Sequence, residues 1–305
     1  MLNLILIVVS LILIIKMADI FVDQATSLSK KLKVSGFFVG FLLVSLGTSL
    51  PELATSMYSS HIGHPEIAIS NVIGSNIANI LLVLGSLALF NKYRLKSIDI
   101  HFNIPLLLSV TSASLLVIAI NNYIISPFVG ILLILVFLVS AYLINRNNHT
   151  NNIHSTTKFN LLLLIGSIVL LVIFSKICID NILVFANQLN IPEVLIGYFL
   201  LAFGTSLPEF ATLYSSIKKG SEDIGLGSII GSNMFNLLFI LGSTSLLGSL
   251  DLGSFKIEML FVLIVTVLLL IFGIIGKKNL ISKREAIILL SFYLIFVIIQ
   301  ILRNI

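Results

Sequence analysis

The sequence has very little charge and a single cysteine. Charged residues make up 10% of its 305 residues, whereas 58% are hydrophobic; a soluble domain carries about 25% charged residues. This scarcity excludes a soluble globular protein and indicates a protein that lies in a membrane. One cysteine, Cys178, allows neither an intrachain disulfide nor a cysteine metal cluster.

Most of the sequence consists of long hydrophobic segments with few charged residues. Most reach the about 20 residues that a spanning helix needs, and they predict an all-α integral membrane protein with ten transmembrane helices. The predicted segments are 2–25, 34–59, 66–90, 101–121, 124–145, 159–187, 192–217, 224–248, 256–276 and 286–302. The first has no basic residue before Lys16, so it lacks the charged start of a signal peptide and is expected to be retained.

Basic residues are unevenly distributed between the predicted loops. With the N-terminus outside, the inner loops hold 14 of the 18 Lys and Arg, the outer loops hold two, and two lie within helices. The positive-inside rule therefore predicts a cell-membrane protein with external termini and a cytoplasmic linker at 146–158. This topology accounts for the net charge of +5 without a nucleic-acid partner. Lys16–Asp19 and Lys176–Asp180, each at helical spacing, are expected to form ion pairs near an interface.

One phrase occurs twice, with equivalent positions 157 residues apart. Gly-Thr-Ser-Leu-Pro-Glu occupies 47–52 and 204–209, and Gly-Ser-Asn-x-x-Asn occupies 74–79 and 231–236. Five predicted crossings separate equivalent positions, so the copies would enter the membrane from opposite sides. Inverted repeats with helices interrupted by Pro and Gly indicate a secondary transporter with its site near the midplane. The expected parts are a first inverted repeat at 1–145 (motif region 36–80) and a second at 159–305 (motif region 193–237).

Each copy places a carboxylate directly after a helix break. A proline inside a helix removes one hydrogen bond and clashes with the carbonyl four residues earlier. The prolines should therefore free backbone carbonyls near Thr48 and Thr205. Glu52 and Glu209 follow the prolines, and neither motif helix contains Lys or Arg. Because an unpaired carboxylate at membrane depth is costly, it indicates a functional site.

The groups around these carboxylates offer oxygen ligands. In the helix after each motif, residues 71, 75 and 79, and likewise 228, 232 and 236, share one face. The candidate side chains beside the two glutamates are Ser49, Ser75, Ser206, Ser232, Asn79 and Asn236. Hard oxygen ligands suit Ca²⁺, which takes about 6–8 of them, and suit Na⁺ for the same reason. The absence of thiol and imidazole argues against copper or zinc.

The duplicated phrase resembles the two alpha-repeats of the sodium/calcium exchanger family, within the Ca²⁺:cation antiporter superfamily. The resemblance covers the whole chain and is close to the compact prokaryotic members, which have ten helices, a short linker and no regulatory domain. It implies that Glu52 and Glu209 are central carboxylates shared by competing ions. It also implies that Thr48 and Thr205 offer backbone carbonyls to Ca²⁺, and that the first and sixth helices form a sliding gate.

The same resemblance assigns the remaining site positions. The residues implied to line the flanking Na⁺ sites are Ser49, Ser206, Ser75 and Ser232. Asn79 and Asn236 would close the middle of the site, and Ser45 and Ala202 occupy flanking positions where the family often uses a backbone carbonyl. Some archaeal members and the K⁺-dependent exchangers have Asp where this chain has Asn236. With two carboxylates only, K⁺ dependence is not expected and the Na⁺ stoichiometry stays open.

These features favour Na⁺/Ca²⁺ antiport by alternating access, by a monomer in the lipid bilayer that needs no cofactor. The alternative is Ca²⁺/H⁺ exchange, in which the glutamates are protonated on return, since burial disfavours a charged carboxylate. Proton-coupled relatives resemble Gly-Asn-x-x-Glu-His in the second motif helix, whereas here Asn71 precedes Val-Ile-Gly. An intramembrane enzyme would need a nucleophile–base pair or metal triad, and neither motif helix core contains His. A passive channel is disfavoured because tight ligation would slow conduction.

Overall fold

The chain is almost wholly helical in the computed structural model, which describes residues 2–90, 93–148, 157–188, 206–275 and 280–304. Within these residues, eight helices are long and apolar enough to cross a membrane, and one bent pair would make a ninth. The prediction of an all-α, multi-pass membrane protein is therefore confirmed. Most of the seventh predicted segment, 192–217, lies outside the described residues.

The elements follow the order expected from the apolar runs. In chain order the helices are α1 (Leu2–Leu32), α2 (Gly36–Thr48), α3 (Leu50–His61), α4 (Pro65–Phe90), α5 (Asp99–Ile120), α6 (Pro127–Asn147), α7 (Leu161–Gln188), α8 (Leu207–Lys218), α9 (Glu222–Ser245), α10 (Lys256–Ile275) and α11 (Lys283–Asn304). Four two-residue strands are β1 (Tyr93–Arg94), β2 (Ile124–Ile125), β3 (Leu250–Asp251) and β4 (Leu280–Ile281).

The first motif helix is broken where the proline predicts it. α2 and α3 meet at an angle of 48°, and Ser49 between them has φ −91° and ψ 12°, outside the helical region. In the second copy, Ser206 has φ −87° and ψ 6° immediately before α8. Pro51 and Pro208 lie in the first turn of the helix that follows. Backbone N–H groups in a first turn have no partner within the helix, so the missing N–H of proline removes no hydrogen bond there.

Glycines bring α2 and α9 into backbone contact. A Cβ atom added at Gly40 would collide with the carbonyl of Ile224, and one added at Gly227 with the carbonyl of Phe37. Gly231 would meet the carbonyl of Phe41 in the same way. Small residues allow such close approach between helices in a membrane. We call this contact the glycine seam; it joins the first motif helix to a helix of the other half.

The short strands form two antiparallel ribbons that link the halves of the chain. β1 pairs with β4, and β2 pairs with β3. A shift of 157 residues carries β1 onto β3, and a shift of 156 carries β2 onto β4. Gly63 and Gly220, also 157 residues apart, both have positive φ, 89° and 65°, and end the turns after α3 and α8. Equivalent segments therefore adopt equivalent local structure.

Helices α1 and α7 pack against each other along their length. Their buried side chains belong to a second hydrophobic cluster, which also contains Val39 and Val44 of α2, Leu207 and Ala211 of α8 and Ile224 of α9. Among the described residues, the main core contains no side chain from either helix. α4 and α9 are by contrast largely buried in the centre.

Neither expected ion pair, Lys16–Asp19 or Lys176–Asp180, occurs among the ion pairs of the described residues, so this prediction is wrong. Asp19 instead accepts a hydrogen bond from Ser215 (2.6 Å) and lies 3.8 Å from the Lys218 ammonium. Lys219 pairs with Asp23 at 2.6 Å. The cause is tertiary: the end of α8 packs against α1 and brings two ammonium groups to its acidic face. We call Asp19, Asp23, Ser215, Lys218 and Lys219 the α1–α8 charge cluster.

Candidate functional site

The residues singled out in the two motifs are buried. Ten of the twelve predicted site residues are described, and each is at most 1% exposed. They are Ser45, Thr48, Ser49, Glu52, Ser75, Asn79, Ser206, Glu209, Ser232 and Asn236. The other two, Ala202 and Thr205, lie outside the described residues.

Hydrogen bonds connect the two motif copies directly. The Ser49 hydroxyl donates to Glu209 Oε1 at 3.0 Å and lies 3.1 Å from the Ser232 hydroxyl. Ser232 Oγ in turn lies 3.4 Å from the same carboxylate oxygen. Ser49 is 160 residues from Glu209 in the sequence, so the fold brings the helix break of one copy onto the carboxylate of the other.

The local structure explains how these groups are presented. Glu52 and Glu209 stand in the first turn of α3 and α8, where the positive end of the helix dipole favours an anion. Ser49 and Ser206 occupy the N-cap positions, but neither side chain caps its helix. Their hydroxyls are therefore available to other partners, and the Ser49 hydroxyl uses this freedom to reach Glu209.

Asn79 and Asn236 stand at wider, π-helical turns. One such turn spans Asn79–Leu84 within α4, and the other spans Phe235–Ile240 within α9. π-Helical turns interrupt regular helices frequently at functional sites. The sequence spacing identified the two amides as candidates but gave no sign of this irregularity, which changes the direction of the side chains along the helix.

Many polar atoms of these residues are buried without a hydrogen-bond partner. The atoms are Glu52 Oε2, Glu209 Oε2, Ser75 Oγ, Ser206 Oγ and both side-chain polar atoms of Asn79 and of Asn236. Buried polar atoms are normally hydrogen-bonded, and leaving them unpaired costs free energy. Six of these eight atoms are oxygens, which are the atoms that hard cations bind. Among the described residues, no cluster of three or more His, Cys, Asp and Glu could hold a metal ion, so hydroxyls and amides supplement the two carboxylates.

Two further side chains contact the backbone of the glutamates. Asn71 Nδ2 donates to the carbonyl of Glu52 at 3.3 Å and to Ser56 Oγ at 3.2 Å. Thr212 Oγ1 donates to the carbonyl of Glu209 at 3.0 Å. The sequence placed Asn71 on the face of Ser75 and Asn79, and that spacing was the available signal; the partner of Asn71 depends on how α3 packs against α4.

Comparisons with known proteins agree over nearly the full length. A family model described as sodium/calcium exchanger protein matches residues 2–145 and 159–302. The putative antiporter CaxA of Alkalimonas amylolytica is 31% identical, covering 94% of this chain and 95% of its own. The sodium/calcium exchanger MaX1 of Methanosarcina acetivorans is 27% identical, with 97% and 98% covered. A solved structure of the sodium-calcium exchanger NCX_Mj, soaked with Na⁺ and Ca²⁺, matches with a TM-score of 0.83 at 30% identity over 97% of both chains.

Proposed function

The chain belongs to the sodium/calcium exchanger family, and on that premise we propose that it is a secondary antiporter that exchanges Na⁺ for Ca²⁺ across a membrane. The observation that carries the proposal is the set of buried, unpartnered oxygens around Glu52 and Glu209, one carboxylate from each motif copy. A protein of this composition would otherwise avoid such groups at membrane depth.

Competition for two carboxylates would couple the fluxes. One Ca²⁺ ion balances the charges of Glu52 and Glu209 together, whereas each Na⁺ ion balances a single carboxylate. Hydroxyl, amide and backbone oxygens then complete each ion's shell, as the oxygen preference of these cations requires. Because the same carboxylates serve both ions, binding of one expels the other, and no covalent step is involved.

Access from alternate sides needs a part of the protein that can move. α1 and α7 are suited to this role because they pack against each other and none of their described side chains belongs to the main core. A second, smaller cluster joins them to α2, α8 and α9. The reciprocal pairing of β1 with β4 and of β2 with β3 supports the proposal of two inverted repeats, 1–145 and 159–305. In that arrangement a shift of the α1–α7 pair would expose the site to one side and cover it from the other.

The proposal is tested with purified protein in proteoliposomes. ⁴⁵Ca²⁺ uptake is measured under an outward Na⁺ gradient and, separately, under an outward H⁺ gradient. We expect the Na⁺ gradient to drive uptake and the H⁺ gradient to fail. Uptake driven by H⁺ alone would contradict Na⁺ coupling and support the Ca²⁺/H⁺ alternative, while uptake under neither gradient would contradict antiport of Ca²⁺.

Orientation is a separate proposal, with external termini and a cytoplasmic linker at 146–158. It follows from the uneven distribution of Lys and Arg between loops. In a Cys178→Ala background, a His149→Cys variant in intact cells should resist an impermeant thiol reagent and react after the membrane is permeabilised. Labelling from outside would overturn this orientation.

A further inference from the structure

The backbones of the two central glutamates are held in different ways. Asn71, on α4, reaches across to α3 and donates to the carbonyl of Glu52. The carbonyl of Glu209 instead receives the hydroxyl of Thr212, from the same helix. Thr55, which is equivalent to Thr212 in the first copy, is exposed. The backbone carbonyl of Glu52 therefore accepts a side-chain hydrogen bond from a neighbouring helix, whereas that of Glu209 accepts one from its own helix.

The hydrogen bonds of the Asn71 side chain occur in one motif copy only. A shift of 157 residues carries Asn71 onto Ser228 and Ser56 onto Leu213. Ser228 is 1% exposed and its hydroxyl has no partner, and a leucine side chain cannot form the second bond. The second copy therefore has no equivalent link between α8 and α9.

Glu209 has a different restraint, which acts on the carboxylate itself. Ser49 and Ser232 lie 3.0 Å and 3.4 Å from Glu209 Oε1. Among the described residues, no side chain donates a hydrogen bond to the carboxylate of Glu52, and Glu52 Oε2 has no partner. The hydrogen bond that acts on this carboxylate comes from the backbone N–H of Glu52 itself, so its position follows the position of the α3 backbone.

We propose that Asn71 is a positioning residue that fixes Glu52 relative to Glu209 and thereby favours Ca²⁺ over Na⁺; the inference rests on the function proposed above. Asn71 also lies on the face of α4 that carries Ser75 and Asn79. Its two bonds therefore hold α3 in register with the helix that supplies further oxygen ligands.

Binding of Ca²⁺ and binding of Na⁺ should differ in how strongly they depend on the position of α3. A Ca²⁺ ion shared by both carboxylates requires oxygens from two copies at about 2.3–2.6 Å from one point. A small displacement of α3 against α8 breaks that geometry. A Na⁺ ion held by one carboxylate and nearby neutral oxygens of the same half moves with them, so the loss of Asn71 should weaken Ca²⁺ binding more than Na⁺ binding.

The test compares Asn71→Ser, which gives the first copy the residue of the second, with Ser228→Ala as the matched control. Ca²⁺ affinity is measured by calorimetry on purified protein in detergent, and Na⁺ affinity by Na⁺ titration of the ion-free protein. We expect the Ca²⁺ dissociation constant of Asn71→Ser to rise about fivefold, the factor that the loss of one hydrogen bond gives, with a change of less than about twofold for Na⁺. Ser228→Ala should leave both affinities unchanged.

Equal weakening of both ions, or no change in either, would overturn the inference. If Asn71→Ser does not fold, Asn71→Gln serves as the second variant: it keeps the amide on a longer side chain and should show the same selective loss of Ca²⁺ affinity to a smaller degree. The wild type separates the two claims. If wild-type protein binds no Ca²⁺ that Na⁺ displaces, the proposed function fails; if it does and the Asn71 variants match it, only this inference fails.

Discussion

The two motif copies share a sequence but not a pattern of hydrogen bonds. Glu209 is held through Oε1 by Ser49 of the other copy and by Ser232. The reciprocal set, in which Ser206 and Ser75 would hold Glu52, is not formed. Ser206 Oγ, Ser75 Oγ and Glu52 Oε2 have no partners instead. Among the described residues, side-chain hydrogen bonds therefore reach the carboxylate of Glu209 and none reaches that of Glu52.

This difference has a physical meaning for a carrier built from repeats. If both copies had the same conformation, inverted repeats would present the site identically to the two sides of the membrane. A protein that opens to one side at a time must therefore break its internal symmetry. In the proposed alternating-access cycle, the hydrogen bonds on Glu209 would belong to one state, and in the opposite state the equivalent groups would hold Glu52.

The largest expected effect comes from removing either carboxylate. Glu52→Gln and Glu209→Gln should each lower Na⁺-driven Ca²⁺ uptake at least about 30-fold, since truncating one partner of a buried charge interaction costs about 2–5 kcal/mol. Uptake of ⁴⁵Ca²⁺ into proteoliposomes is the measurement. Glu66→Gln is the matched control, because Glu66 is an exposed carboxylate paired with His64 at 3.2 Å. Near-normal uptake by one glutamine variant alone would show that the copies do not share the ion.

Sequence reasoning reached the parts of the site that are determined locally. Pro51 and its neighbours predicted the break at Ser49, because helix interruption depends on a few adjacent residues. The hydrogen bond from Ser49 to Glu209 could not be predicted, since it depends on packing between helices 160 residues apart. The pairing of Asp19 was misjudged for the same reason: helical spacing describes one helix and not its neighbours. The ion-binding roles of all twelve residues stay predictions, and Thr205 and Ala202 also lie outside the described residues.

A second comparison sets Ser49 against Ser206. Ser49→Ala removes a hydrogen bond to Glu209 and should raise the Ca²⁺ dissociation constant at least about tenfold, as expected for a bond to a charged group. Ser206→Ala removes a hydroxyl that holds no carboxylate, so it loses at most one neutral ion ligand and should raise the constant less than about fivefold. Calorimetry on both variants under one set of conditions makes the comparison. Equal increases of the Ca²⁺ dissociation constant in the two variants would mean that the difference in hydrogen bonding between the halves does not affect Ca²⁺ affinity.

The glycine seam tests whether contact between the halves stabilises the fold. In Gly231→Ala the new Cβ would collide with the carbonyl of Phe41 and lie 2.7 Å from Ser45 Oγ. Overpacking of this kind costs about 1–3 kcal/mol, so thermal unfolding in detergent should occur at a lower temperature. Gly166→Ala in α7 is the control, because no atom lies within 4 Å of the Cβ added there. A Gly231→Ala protein as stable as Gly166→Ala would contradict the seam.

The smallest expected effect concerns the α1–α8 charge cluster, which also distinguishes the copies. Positions equivalent to Lys218 and Lys219 in the first copy are His61 and Ile62, so the first copy has no two ammonium groups at the end of α3. Lys219→Gln removes the ion pair with Asp23 at 2.6 Å and a hydrogen bond to the Asp19 carbonyl.

Exposed ion pairs are worth about 0–1 kcal/mol, so the exchange rate of Lys219→Gln should change by less than about fivefold. The change should disappear in about 1 M choline chloride, where the screening length is about 3 Å. His61→Gln, at the first-copy position equivalent to Lys218, is the control and should match the wild type at both salt concentrations. If α1 moves against α8 during transport, breaking this cluster favours the state in which they are apart. A rate change that persists at high salt would show that Lys219 acts through packing and not through its charge.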